Sequence, residues 1–471
     1  MSINLYPLTH RVGPDDFSIG ARAAAEFIGN QAVTAEKGIY WQTQADRDQK
    51  LPVNLDLYNG SAGIVLFYLQ LAKVLGDDAY RKAAIAGGEY IVNEFEKTQY
   101  RYQMPAGIFN GPYGNSWGLY YGGLAGIAFS LLELGKAFQS PALENGAFRT
   151  AALKITERIA REATRLDTGV IWSGYSNITQ DGGTILYLLR AAEEFNRPEW
   201  KDLAIQGAKA IAATEVTVNE RYVRFAGDKK LLESLAKFPA LASSLNIGAD
   251  SFFPDFGYGT AGMSYVLAKI AGLTGDAELL EKAEKSADYV ASLATNTGNG
   301  RLVPYLYPDT TGSLHYLGFC HGPVGTARTY VLLYQLTKKE KYRDFYLGLV
   351  EGLIEAGAPE HHSAGFWHTH CACCGTAGFI NLFLGVWGET GDRKYLEYAD
   401  RSAQVIIGDA TYNGKEAVWY QAFSRIDPNL ITADIGLYNG AAGIALSLVQ
   451  TASALQGKFD PLRLPDEPYT K

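Results

Sequence analysis

The residues best suited to chemistry in this chain are also among its rarest. All four cysteines lie between Cys320 and Cys374, and six of the seven histidines lie between His315 and His370. Filler this scarce would scatter over 471 positions. Two short stretches hold the thiols. The first, LGFCHGPVG from Leu317, carries Cys320 and His321; the second, HTHCACCGTAG from His368, carries Cys371, Cys373 and Cys374. Four cysteines are too few to staple so long a chain by disulfides. Metal binding or catalysis is the expected use of such a cluster.

Both stretches belong to a repeated element. A Gly-x-x-Gly unit followed by an apolar helical run starts at Asn59, Gly122, Tyr258, His321, Cys374 and Asn439, with a degraded further copy from Gln180. Periods of tens of residues mark a repeat architecture. The run after the glycines is apolar nearly all round, as in Ile64, Val65, Leu66, Phe67, Leu69 and Leu71, so it is expected to be buried on most faces. Turns such as LGDDAY, TGDAEL and TGDRKY end it, with glycine where a left-handed C-cap belongs. An amphipathic helix follows, with Lys and Glu between apolar positions at helical spacing.

A helix buried all round inside an amphipathic one implies two concentric layers. The expected fold is all-α, an α/α toroid of seven helical hairpins with inner and outer helices. Chain length alone would suggest about three domains. No Pro/Ser-rich linker divides the chain, however, so residues 1–471 read as one domain. An open solenoid is the alternative, but evident polar caps are lacking. The Gly-Asn-Gly stretch after Thr297 reads as a rim loop or short hairpin.

In a toroid the glycines gather on one rim, and adjacent repeats set equivalent positions side by side. Cys320 should then face Cys373 and Cys374. Helix N-termini favour thiolates there. Three converging sulfurs suit Zn²⁺ better than a hard cation and leave a fourth position open to water or substrate. Cys371 or His370 in that position would instead close a structural site. Four packed, reduced core cysteines are the remaining alternative. His321, His368 and His370 read more readily as rim hydrogen-bonders than as ligands.

Composition narrows the function classes. With 42 Lys and Arg against 50 Asp and Glu, the net charge of −8 argues against a general nucleic-acid backbone binder. No apolar run is long enough for a transmembrane helix, and the start, MSINLYPLTHRVGPDD, lacks the features of a signal peptide. The expected compartment is the cytoplasm. Asp56, Asp181, Asp255 and Asp434 precede rim glycines. An acidic pair facing the cavity would make a glycosidase; turn and cap chemistry is the plainer role. The Gly-x-x-Gly element is not a phosphate loop, because no GxxxxGK[ST] pattern occurs.

Seven Gly-rich elements, with Cys-His-Gly in the fifth and Cys-Cys-Gly in the sixth, resemble lanthionine synthetase C-like cyclases over roughly Phe17 to Leu455. The resemblance implies an α/α toroid with one Zn²⁺, which activates a cysteine thiol for addition to a dehydroamino acid, giving a thioether. The implied ligands are Cys320, Cys373 and Cys374, the last standing where the commoner pattern has His. The implied substrate is a peptide or small thiol, and a separate dehydratase would have to prepare the dehydroamino acid. Several positions depart from the pattern. Tyr258 stands for a His in the fourth element, Asn177 for an Asp in the third, Tyr316 for an Arg, and Phe319 for a Trp. His321 and Tyr258 are the residues left to replace the missing acid/base pair. A relative that holds zinc and a peptide or thiol without turnover is the second expectation, and an α/α-toroid carbohydrate enzyme the third.

Overall fold

The computed structural model describes residues 11–43, 50, 53–98, 117–121, 123–138, 146–237, 247–248, 250–309, 315–361, 369–422 and 429–470. Inner helices are α2 (Ser61–Leu75), α4 (Leu124–Ala137), α6 (Asp181–Phe195), α9 (Thr260–Thr274), α11 (Pro323–Thr337), α13 (Thr376–Thr390) and α15 (Ala441–Leu455). Outer helices are α1 (Pro14–Asn30), α3 (Asp78–Lys97), α5 (Ala147–Arg161), α7 (Pro198–Ala212), α10 (Ala277–Ser292), α12 (Glu340–Glu355) and α14 (Arg393–Gly408). A short α8 (Lys229–Leu235) lies in a connection. The fold is the expected α/α toroid.

The two layers follow from their sequences. In α2 every residue from Ser61 to Leu71 is buried. In α14, Tyr395, Leu396, Ala399, Ala403 and Ile406 are buried, while Arg393, Glu397 and Arg401 face water. The last inner helix has no partner after it in sequence. Its partner is α1, from the other end of the chain, which packs on α15 and buries Phe17, Ala21, Ala24, Ala25 and Ile28. Burying a Phe or Ile side chain contributes roughly 1.5–3 kcal/mol, so α1 closes the ring by the same force that builds each hairpin.

Gly-Asp pairs make the turns between layers. Gly76, Gly275 and Gly391 take φ of 67°, 74° and 71°, the left-handed region that ends a helix. The next residue, Asp77, Asp276 or Asp392, accepts a backbone N–H of the following helix and starts it. The second rim glycine has a different reason. A β-carbon on Gly262, Gly325 or Gly443 would lie 1.9, 2.0 or 1.8 Å from the carbonyl oxygen of Phe256, Phe319 or Leu437. Only glycine lets each rim loop fold back over the first helical turn.

Five outer helices run into antiparallel hairpins. These are Ala32–Thr34 with Ile39–Trp41, Thr164–Leu166 with Gly169–Ile171, Glu215–Thr217 with Val223–Phe225, Thr295–Asn296 with Arg301–Leu302, and Thr411–Asn413 with Glu416–Val418. The Gly-Asn-Gly stretch is the tip of the fourth. Three hairpins end on a Trp whose indole N–H donates to a carbonyl of the preceding helix: Trp41 to Ile28, Trp172 to Ile159 and Trp419 to Ile406. Each supplies a donor to a carbonyl in the last turn of the helix, where the intrahelical ladder runs out.

Beyond α15 the chain turns back into the barrel and reaches Tyr120 of the second rim loop. Asp466 is fully buried, accepting from Arg328 of α11 at 2.9 Å and from the Tyr120 hydroxyl at 2.8 Å. The carbonyl of Pro468 accepts from Gln335, and Glu389 accepts from the Thr470 backbone. No described helix is long and apolar enough to cross a membrane.

Candidate metal centre

Backbone hydrogen bonds stitch neighbouring rim loops together and so fix the thiols. Gly257 N–H donates to the Cys320 carbonyl at 2.9 Å, and Phe319 N–H to the Cys373 carbonyl at 2.6 Å. Cys373 N–H donates to the Tyr438 carbonyl at 2.9 Å, and Tyr438 N–H to the Tyr58 carbonyl at 2.8 Å. The fourth, fifth, sixth, seventh and first elements are thereby linked in ring order.

This register brings Cys320, Cys373 and Cys374 together, with all three sulfurs within 4.8 Å of one another. Cys320 and Cys374 are 3.7 Å apart, Sγ to Sγ. A tetrahedral zinc with Zn–S bonds of about 2.3 Å would need sulfurs about 3.8 Å apart. Spacing and softness of the three donors therefore both fit Zn²⁺. No further His, Cys, Asp or Glu joins the group among the described residues.

The two residues that could have closed the site lie outside this group of three converging ligand atoms. Cys371 Sγ accepts the Cys374 backbone N–H at 3.4 Å and lies 3.7 Å from Thr369 Oγ1. His370 places Nδ1 3.3 Å from Thr376 Oγ1 and Nε2 3.1 Å from the Asp409 carboxylate. His368 lies outside the described residues.

His321 stands beside the thiols and is held from two directions. Its Nδ1 lies 2.5 Å from Asp255 Oδ2. The other oxygen of Asp255 accepts the backbone N–H groups of Tyr258 and Gly259 at 2.8 and 3.2 Å. Asp255 is thus both the turn residue anticipated for it and the partner of His321. Rings of Tyr258, Tyr305, Phe253 and Tyr316 surround the imidazole at 4.9, 4.1, 5.2 and 5.8 Å. The Tyr258 hydroxyl donates to the Tyr121 hydroxyl at 3.1 Å. Asn177 is buried in the third rim loop, where its side-chain oxygen accepts from Thr179 at 2.7 Å.

Three thiols this close cannot all ionise. Burial pushes the Cys373 thiol up, but hydrogen bonds from Cys320, Cys374 and Tyr58 outweigh it and hold Cys373 well below the usual thiol range. Cys320 is raised by its hydrogen bond to Cys373, and Cys374 by its bond to Cys320. Among the three, Cys373 is the thiol its neighbours most favour as a thiolate. Burial raises Tyr58, Tyr121 and Tyr258 well above the usual phenol range, so all three remain hydroxyl donors.

The other acidic candidates serve the backbone. Asp56 accepts the N–H groups of Asn59 and Gly60 at 2.9 and 3.0 Å. Asp181 accepts from Trp172, Ser173 and Gly174, and Asp434 from Thr432. Sequence reasoning missed Tyr58 and Tyr121 as neighbours of the sulfurs. Their signal was present, in the Leu-Tyr-Asn-Gly of residues 57–60, repeated at 437–440, and the Leu-Tyr-Tyr of 119–121.

The family model described as lanthionine synthetase C-like protein matches residues 52–461. Among solved structures, nisin cyclase is similar at 16% identity and a TM-score of 0.62, over 92% of this chain and 94% of that one. An alpha-1,2-mannosidase from Trichoderma reesei is similar at 13% identity and a TM-score of 0.54, over 92% of this chain and 93% of that one. At these identities the structural likeness is one of fold. No curated protein matches the chain.

Proposed function

The chain belongs to the lanthionine synthetase C-like family, and from that membership we propose a zinc-dependent protein that adds a cysteine thiol of a peptide, or a small thiol, to a dehydroamino acid. The observation that carries this reading is the convergence of Cys320, Cys373 and Cys374 beside an Asp255-anchored His321. The three cysteines would hold Zn²⁺, which when bound favours the thiolate form of a substrate thiol. Neither Cys371 nor His370 belongs to the converging ligand group, which supports a remaining position open to substrate.

The chain's own groups would manage the proton. Addition of S–H across a carbon–carbon double bond loses no atoms: sulfur bonds the β-carbon, and the thiol proton ends on the α-carbon. With Nδ1 held by Asp255, His321 keeps Nε2 to take that proton and return it. Tyr258 stacks on the ring and fixes its plane. Asn177 stays outside this scheme, because Thr179 occupies its side-chain oxygen. The reading requires a dehydratase acting beforehand, and a cytoplasmic setting that keeps the thiols reduced.

Incubation of the zinc-loaded protein with a dehydrated, cysteine-containing peptide tests the reading. Loss of free thiol without change of mass reports a thioether ring. Unchanged thiol with zinc bound would leave a binding role, and a protein without bound zinc would end both. A carbohydrate reading gains no support, since Asp56, Asp181 and Asp434 are committed to rim turns and Asp255 to a turn and His321.

A further inference from the structure

One thiol on the rim has no part in the ligand group. Cys371 stands three residues before Cys374 in the Cys-Ala-Cys-Cys run of the sixth element, so the two form a Cys-x-x-Cys pair just ahead of α13. Two hydrogen bonds hold this run in a single tight turn. Gly375 N–H donates to the Cys371 carbonyl at 2.9 Å, and Cys374 N–H donates to Cys371 Sγ at 3.4 Å. The Cys371 sulfur therefore lies against the backbone of a residue whose own sulfur belongs to the ligand group. All four cysteines are free thiols, and Cys374 alone is partly exposed. A reachable sulfur with a sheltered thiol beside it is the arrangement of a reacting and a resolving cysteine.

We propose that Cys371 is the resolving partner of Cys374: a hydroperoxide converts the pair to a disulfide, and the metal site loses one of its three ligands. This rests on the zinc reading above and names a regulation of that site. The Cys374 thiolate attacks the peroxide, the O–O bond breaks, hydroxide leaves, and Cys374 becomes a sulfenic acid. The Cys371 sulfur then attacks the Cys374 sulfur, the S–O bond breaks, and water leaves with the Cys371 proton. Two electrons pass from the two sulfurs to the peroxide. A disulfide sulfur has no negative charge to offer a cation. Cys320 and Cys373 alone remain, fewer than the three protein ligands that a catalytic zinc keeps. A dithiol reverses the change by exchange. Cys320 Sγ is also close to that of Cys374, at 3.7 Å, but it belongs to the ligand group, whereas Cys371 stands outside it.

The test treats the zinc-loaded full chain with hydrogen peroxide and follows released zinc with a colorimetric chelator. Free thiols are then capped with one alkylating agent, thiols recovered by reduction with a second, and both labels are placed by mass spectrometry. Wild type should release its zinc, about one per chain, with the second label on Cys371 and Cys374. Dithiothreitol and fresh zinc should restore full loading. Cys371→Ser should load zinc like wild type, since Cys371 is no ligand. After peroxide, its Cys374 should run on to sulfinic acid, so that dithiothreitol no longer restores the site. The second label on Cys320 and Cys374 overturns the resolving role of Cys371, and being read on wild type it needs no variant to fold. Zinc loading that dithiothreitol restores equally well in Cys371→Ser overturns it too, as does zinc release with no second label on any cysteine. Each of these leaves the metal reading intact. A wild-type chain that takes up no zinc before oxidation overturns the metal reading and this inference together.

Discussion

At the glycine rim three sulfurs lie within 4.8 Å of one another, whereas behind the Phe319 ring, inside the barrel, Arg328 meets Asp466 and Glu467 at 2.9 and 3.3 Å. Both clusters are buried in the same toroid, but their electrostatics are opposite. The thiols are like groups that cannot all be charged until a cation arrives. The guanidinium and carboxylates already match, with Tyr120 adding a hydrogen bond to Asp466. A cluster of like donors asks for something from outside the chain; a cluster of opposite charges is complete within it. Phe319 lies between the two, directly before Cys320 in sequence and with the Arg328 guanidinium 4.8 Å above its ring.

Variants in each cluster should separate these roles. Cys320→Ala should have the largest effect: bound zinc, measured by metal analysis, falls from about one per chain to near zero, while far-UV circular dichroism is unchanged. Retained zinc would mean that the ligand set is wrong. In the charged cluster, Asp466→Ala leaves Arg328 short of its nearest partner and should cost about 3 kcal/mol in denaturant unfolding with zinc content unchanged. Pairing Arg328→Met with Asp466→Leu should restore most of that loss; if it does not, the charged cluster is more than a structural ion pair.

Smaller effects probe the rim more finely. Asp255→Asn keeps an acceptor for the turn but not the carboxylate for His321. Thioether formation should slow by about 100-fold with zinc still bound, as expected when a proton carrier loses its orienting partner. An equal fall in zinc content would assign Asp255 to the metal site instead.

The smallest expected effect concerns Asp228, which accepts the Phe253 N–H at 2.7 Å. Burial pushes its carboxyl up to about 7 against the opposing Phe253 hydrogen bond and the Arg224 charge. A carboxyl raised on folding stays protonated in the folded state where the unfolded chain has ionised, so its contribution to stability falls as pH rises from about 4 to 7. Asp228→Asn removes that dependence. Its stability relative to wild type should improve by roughly 2 kcal/mol between pH 4.5 and about pH 6. A difference that does not change with pH would show that Asp228 ionises normally.

Much of this was legible in the chain because local chemistry repeats. Gly-Asp pairs had to end one helix and begin the next, and Gly76, Gly275 and Gly391 do so. The Ile-to-Trp spacing of thirteen residues recurs at Trp41, Trp172 and Trp419 and could have been found by the same search for periods. The partner of α15 could not, because α1 carries no Gly-x-x-Gly signature and lies at the other end of the chain. Nor could the tail around Asp466, whose composition resembles a surface segment until its burial beside Arg328 is seen.

By itself, then, the sequence determined the helical hairpins, their two layers and the concentration of thiols in two neighbouring copies, since periodicity and turn chemistry act within a few residues. The tertiary structure decided which sulfurs meet, that Cys371 and His370 stay outside their group, that Asp255 serves His321, and that Tyr258 meets Tyr121 of another repeat. Those pairings depend on how the rim loops register around a closed ring, and ring closure brings together residues hundreds of positions apart.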